Sequence, residues 1–189
     1  MAYTTTGAVK AYLGIAEATD DALLTTLINA AQEVIDIYCR RTFEAEADTT
    51  RYFDYSPECI QGPDLWLDAD LCSITTVTNG DAVVVATGER TTVPRNDTPY
   101  YKIRLLSDSG VTWTYDDEWM GAISVTGKWA YSEDAPPDIA QACVRLASFY
   151  YRAKDSPLTD VTAIEAGTVI RTPNMPADVK IILDPYRKP

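Results

Sequence analysis

Few residues in this sequence have the types and spacing to do chemistry. Asp68 and Asp70 flank Ala69, so in an extended segment both carboxylates point to one side and offer oxygen ligands to Ca²⁺ or Mg²⁺. Two carboxylates are too few to hold such an ion, and the pair reads as a solvated strand end or turn. Asp116, Asp117 and Glu118 make a denser acidic run between Tyr115 and Trp119, in what reads as a solvated hairpin connection. Gly127-Lys128-Trp129 lacks the upstream glycine spacing and the following hydroxyl that a phosphate-binding loop requires. The cysteines, at 39, 59, 72 and 143, include no C-x-x-C pair and no short metal-ligand spacing.

The chain has no histidine among its 189 residues. Within one chain this excludes a Ser-His-Asp triad, a Cys-His pair, every His-containing zinc site and histidine general-base chemistry. A carboxylate dyad assembled by folding needs no histidine, but nothing in the sequence points to one. The expectation is a non-enzymatic protein with no catalytic, cofactor-binding or metal-binding residues. The aromatic residues, 4 Trp, 12 Tyr and 3 Phe, mostly alternate within strand-like runs and read as core.

Sixteen Lys and Arg stand against 28 Asp and Glu, a net charge of -12. A surface this acidic opposes the approach of phosphate and argues against tight DNA binding. The N-terminus lacks a basic region followed by an apolar one, and no apolar run approaches the ~18 residues needed to span a bilayer. A cytoplasmic chain with reduced cysteines is expected, Cys39 and Cys143 being small core residues.

The elements that would position these residues are legible from periodicity. A short helix is expected from Thr6 to Leu13, stopped at Gly14. Leu23, Leu24, Leu27, Ile28, Ala31, Val34, Ile35 and Tyr38 then mark an amphipathic helix of about five turns. Thr19 is its expected cap, with Asp20 and Asp21 at the positive end of the dipole and Arg40 and Arg41 at the negative end.

From about Thr49 to Tyr131 the pattern changes to short β-branched and aromatic runs: Arg51 to Tyr55, Leu65 to Leu67, Ile74 to Thr78, Val83 to Ala86, Ile103 to Leu106 and Ile123 to Trp129. Asn79-Gly80-Asp81 reads as a hairpin turn whose Asn and Gly tolerate positive φ. Thr87 to Tyr100, with Gly88, Pro94 and Pro99, reads as an exposed loop.

Helical periodicity returns at Pro136-Pro137-Asp138. Ile139, Cys143, Leu146 and Tyr150 form one stripe, with Ala140, Val144, Ala147 and Tyr151 beside it, so two faces are expected to be buried. Residues 155–174 read as a semi-extended linker with a possible strand over Thr168 to Ile170. The chain closes with a short helix from about Pro176 to Leu183, stopped by Pro185. The fold class is therefore α+β, a small helical bundle with an inserted antiparallel β subdomain. Its expected parts are residues 1–48, the inserted 49–133, the core helix of 134–154, and an extended C-terminal arm of 155–189.

Three segments resemble the head-tail connector proteins (portal adaptors, head completion proteins) of tailed bacteriophages. The first runs from Thr6-Gly7-Ala8-Val9 through Asp20-Asp21 and the long helix to Tyr38-Cys39 and Arg41-Thr42-Phe43. The second is Ile123 to Tyr131, containing Val125-Thr126-Gly127 with Ala130 where the family usually has a second glycine, followed by Pro136-Pro137-Asp138. The third is Met175-Pro176-Ala177-Asp178-Val179 and Asp184-Pro185-Tyr186-Arg187. Together they cover roughly half the chain.

The resemblance implies a structural protein of the virion neck, assembled in the host cytoplasm and added to the portal after DNA packaging. It would form a ring, of twelve copies by the family pattern, that extends the DNA channel and receives the next neck, stopper or tail protein. DNA would pass without specific binding, and neither membrane nor cofactor is implied. On this reading Val179, Ile182, Leu183, Tyr186 and Arg187 would reach out to the portal. Ile139, Cys143, Leu146, Tyr150 and Tyr151 would pack on the long helix and against other helices, either this chain's or a neighbouring subunit's. Asp97, Asp116, Asp117 and Glu118 are candidates for the channel or its loops. Two other readings stay open: an acidic protein-binding module such as a tail completion factor, and a carboxylate-dependent hydrolase.

Overall fold

The computed structural model describes residues 2–154, 162–163, 169–170 and 175–188. Most of the linker expected over 155–174, Thr168 included, lies outside these residues; of it, Thr162–Ala163 and Val169–Ile170 are described and pair antiparallel. The fold is α+β, and the chain divides into two units, one of residues 41–135 and one of residues 2–40 with 136–189.

The second unit is helical, with α1 (Thr6–Leu13), α2 (Asp21–Cys39), α3 (Pro137–Ala153) and α4 (Ala177–Leu183). Helix α1 starts where the Thr5 hydroxyl accepts from the Ala8 amide, and ends at Gly14 in the left-handed region, where a side chain would be strained. The N-cap position of α2 is Asp20 rather than Thr19. The Asp20 carboxylate makes no capping bond; it accepts instead from the Tyr151 hydroxyl and from Lys154 Nζ at 3.0 Å. Helix α3 packs against the other three helices, which is why Ile139, Cys143 and Leu146 of one stripe and Val144 and Ala147 of the other are buried. Cys39 and Cys143 are fully buried, as expected of small core residues.

One polar contact sits beside this core. The Tyr3 hydroxyl donates to Asp36 Oδ1 at 2.5 Å, and the Tyr3 amide donates to Gln32 Oε1. Burial pushes the Asp36 carboxyl up to about 6, against the lowering effect of the Tyr3 bond. The nearby Cys143 thiol is pushed up to about 12, by burial first and the Asp36 charge second. Because the folded value of Asp36 lies above the unfolded one, the fold holds a proton that the unfolded chain has lost between about pH 4 and 6. This contribution is full below the unfolded value and is lost as pH rises through 6. Asn at this position keeps the acceptor without the charge. Asp36→Asn is therefore expected to stabilise the protein by about 1–2 kcal/mol at pH 7, after allowance for solvent screening. The melting-temperature difference should shrink to nothing at pH 4, and an equal difference at both values would contradict the assignment.

The β unit contains β1 (Thr49–Phe53), β2 (Ile60–Gln61), β3 (Asp64–Leu71), β4 (Ser73–Thr78), β5 (Arg90–Val93), β6 (Tyr100–Leu105) and β7 (Ile123–Lys128). They form antiparallel sheets of order β1-β7-β4 and β2-β3-β6-β5. Ile123, Val125 and Gly127 alternate inward along β7, and Leu65, Ile103 and Trp113 join the same core.

Two expectations fail here. The run Arg90-Thr91-Thr92-Val93, placed in an exposed loop from sequence, is strand β5 paired with β6. Conversely, Val83 to Ala86 is not a strand: Val84 makes a single bridge to Thr78, and Val83 and Val84 are exposed. The turn at Asn79 works differently from expectation too. Neither Asn79 nor Gly80 has positive φ, which falls on Ala82. Asn79 is buried; its side chain donates to the Thr112 carbonyl and accepts from the Gly80 and Thr114 amides. Gly80 is needed for space, since a Cβ there would lie 2.3 Å from the Thr114 carbonyl oxygen.

Candidate functional site

Asp68 and Asp70 do not make a pair. A register shift between Trp66 and Leu71 breaks the alternation of β3. Asp68 is exposed and bound to Arg51 at 2.9 Å, whereas Asp70 is buried with Arg41 Nε at 3.6 Å. The expectation of two solvated carboxylates therefore fails for Asp70, whose buried charge is opposed by Arg41. Among the described residues no group of three or more Cys, Asp or Glu is placed to hold a metal ion, and no helix is long and apolar enough to cross a membrane.

The residues expected to face partners sort by burial. In α3, Ile139, Cys143 and Leu146 are fully buried within their own unit, where the helix packs against this chain's other helices. Tyr150 is half-buried, and burial raises its hydroxyl pKa. Tyr151 donates to Asp20 and carries Lys154 Nζ 4.0 Å from its ring centre.

In α4, Val179 and Leu183 are also fully buried, within the chain's own helical unit. The helix is docked at both ends. Arg145 binds Asp178 at 2.7 Å, the Tyr186 hydroxyl donates to Asp138 at 2.6 Å, and the Lys188 amide donates to the Cys39 carbonyl. Tyr38 donates to Asp184 at 2.5 Å, a bond that raises the phenol's pKa, and Arg187 lies 5.0 Å over its ring. Ile182 and Tyr186 are half-buried and Arg187 is exposed. The apolar residue that α4 presents to solvent is Ile181, 73% exposed, which the periodicity had passed over because it falls out of step with Val179 and Leu183.

In the β unit Asp97, Asp116, Asp117 and Glu118 are all exposed. Asp97 lies in the connection between β5 and β6, and the other three in the connection between β6 and β7, so the fold puts them on separate loops. The acidic run lies with aromatic residues, of which Tyr52 and Tyr55 belong to a strand-like run that reads as core. Tyr115 packs on Tyr55 with ring centres 4.9 Å apart, the Tyr55 amide donates to the Trp119 carbonyl, and Gly121, held by Asp54, lies against Tyr52. Tyr52, Tyr55, Tyr115, Trp119 and Met120 are exposed.

Segments far apart in sequence meet where the chain enters and leaves this unit. Phe43 is fully buried with its ring 5.6 Å from that of Tyr131; Arg41 lies 5.3 Å over Tyr131, and the Tyr131 amide donates to the Thr42 carbonyl. The Arg41-Thr42-Phe43 exit and the Trp129-Ala130-Tyr131 strand end are thus one clasp. Small residues allow the approach: Ala130 is buried with Ala45 and Cys72.

A model of the head completion protein family matches residues 2–189. The chain belongs to the head completion protein family. Membership agrees with the resemblance read from these same segments. No curated protein matches the sequence. Among solved structures, this head completion protein is similar to a chain in the neck of an empty GTA particle computed with C6 symmetry. Identity there is 16% and the TM-score 0.56, over 96% of this chain and 87% of that one. A chain in the neck of a native GTA particle computed with C12 symmetry gives 18%, 0.55, 88% and 82%. One in the virion of the native gene transfer agent particle gives 17%, 0.56, 92% and 82%. At these identities the likeness is one of fold.

Proposed function

We propose that this head completion protein is a structural adaptor of the virion neck, docking as a ring on the portal after DNA packaging and offering its far face to the next neck or tail protein. The observation that carries the reading is the family match over residues 2–189. The shared fold with chains of GTA necks computed with C6 and C12 symmetry supports a ring, and twelve copies is the number we adopt.

Charge fits a channel component. The β unit, residues 41–135, carries 7 Lys and Arg against 17 Asp and Glu; the remainder of the chain carries 9 against 11. Ten of the twelve net negative charges therefore belong to the β unit. In a ring, a wall of that sign repels duplex phosphates and lets DNA slide without adhering.

Electron microscopy of the purified protein, alone and mixed with its cognate portal, tests the reading. Rings stacked coaxially on the portal are expected, even where the isolated protein stays monomeric, because the template can drive assembly. Portal particles that remain bare at saturating protein would overturn it.

A further inference from the structure

The β unit has an apolar cleft of about 680 Å³ that no residue of the protein's own assigned chemistry uses. Tyr55, Ile60, Pro63, Leu106, Val111 and Trp113 line it. Two of its polar groups are already committed. The Trp113 indole donates to the Pro63 carbonyl at 2.9 Å. Arg104, at the rim, is held by Asp64 through bonds of 2.5 and 2.7 Å. Those bonds, the Arg104 one foremost, hold the Asp64 carboxyl at about 2, so the pair stays ionised and mutually satisfied.

The cleft's lining is mainly apolar, with Ser107 and Thr112 among its polar members. It suits a large apolar side chain. Apart from Arg104, which is exposed but paired with Asp64, the exposed charges placed beside it in the chain are acidic. Glu58 falls between the lining residues Tyr55 and Ile60, Asp108 between Ser107 and Gly110, and Asp116 to Glu118 follow Tyr115, the ring partner of Tyr55.

We infer that this cleft is a docking site for a partner protein's segment that carries a large apolar anchor flanked by Lys or Arg. Exposed aromatics beside a desolvated pocket are the usual anchors of protein interfaces, and the acidic surround selects a basic partner through attraction at long range. A second copy of this chain meeting the cleft with the same β unit would bring like charge to like charge, a net -10 on each side.

The inference stands on the cleft; the neck reading adds that the segment would belong to another virion component. The test uses the full chain and three fluorescein-labelled octapeptides, KKLLWLKK, KKSSGSKK and EELLWLEE, read by anisotropy at low and moderate salt. KKLLWLKK alone should bind, and more weakly as salt rises. Tyr55→Ser should weaken it about tenfold, and Glu58→Gln with Asp108→Asn at least about threefold. Equal binding of all three peptides, no binding of KKLLWLKK up to about 1 mM, or binding unaffected by Tyr55→Ser in a folded variant would overturn the inference. So would a concentration-dependent dimer, abolished by Tyr55→Ser, without peptide binding. Rings on the portal without peptide binding would sink this inference and leave the neck reading standing; peptide binding without rings would do the reverse.

Discussion

Gly127→Ala is expected to cost about 3 kcal/mol and to lower the melting temperature by roughly 10 °C. At this position a Cβ would stand 2.1 Å from the Ser73 carbonyl oxygen and 3.2 Å from the Ile74 Cα. Both obstacles are backbone of the neighbouring strand, so no rotamer change relieves them. The crowding arises from the register. β4 pairs with β7 from Ser73 opposite Lys128 and Ile74 opposite Gly127, then slips a residue before Thr76 meets Thr126. A bulge of this kind presses one chain onto the other, and β7 is the centre strand of its sheet, so it cannot move away without losing β1. Gly88→Ala supplies the control, because nothing lies within 4 Å of a Cβ there. Thermal unfolding followed by circular dichroism should show the Gly88 variant near the wild type and the Gly127 variant far below it. Matching transitions for the two would mean that the strands do not approach as described.

The same glycine shows where sequence reading stops. Val125-Thr126-Gly127 was legible as part of a familiar strand, but its need for glycine depends on which residue of β4 lies opposite, which is a fact about register and not about composition. The helices were more accessible. Leu24, Ile28, Ala31 and Ile35 recur at helical steps and are all buried, and the doubled stripe of α3 announced that it would be covered on two sides.

Short strands were the weak point. Arg90 to Val93 offers four residues between Gly88 and Pro94, too few to separate from a loop until β6 is seen beside it. Aromatic residues misled for a related reason. In a strand-like context Tyr52 carries the same alternation whether its face is covered or not, and here it is exposed. Burial is decided by what the rest of the chain places opposite, and single-strand periodicity contains no record of that.

The terminal helix carries that ambiguity into function, and a pair of substitutions resolves it. Val179 and Leu183 look alike from sequence whether they are anchors for a portal or parts of the chain's own core; the structure buries both and exposes Ile181. Leu183→Asp places a carboxylate without a partner in an apolar site and should cost about 4 kcal/mol or more, with loss of cooperative unfolding in the helical unit. Ile181→Asp adds its charge in water and should leave the melting temperature within about 2 °C of the wild type. If α4 serves the portal from its docked position, Ile181→Asp weakens portal binding in a pull-down while the protein remains folded, by about tenfold if the isoleucine is an interface anchor. A Leu183→Asp protein that stays as stable as the wild type would mean that α4 is undocked in solution, and the reading of a free arm carrying Val179, Ile182 and Leu183 would then return. Retained affinity in the Ile181 variant would move the portal contact off this residue, the apolar side chain that α4 leaves exposed.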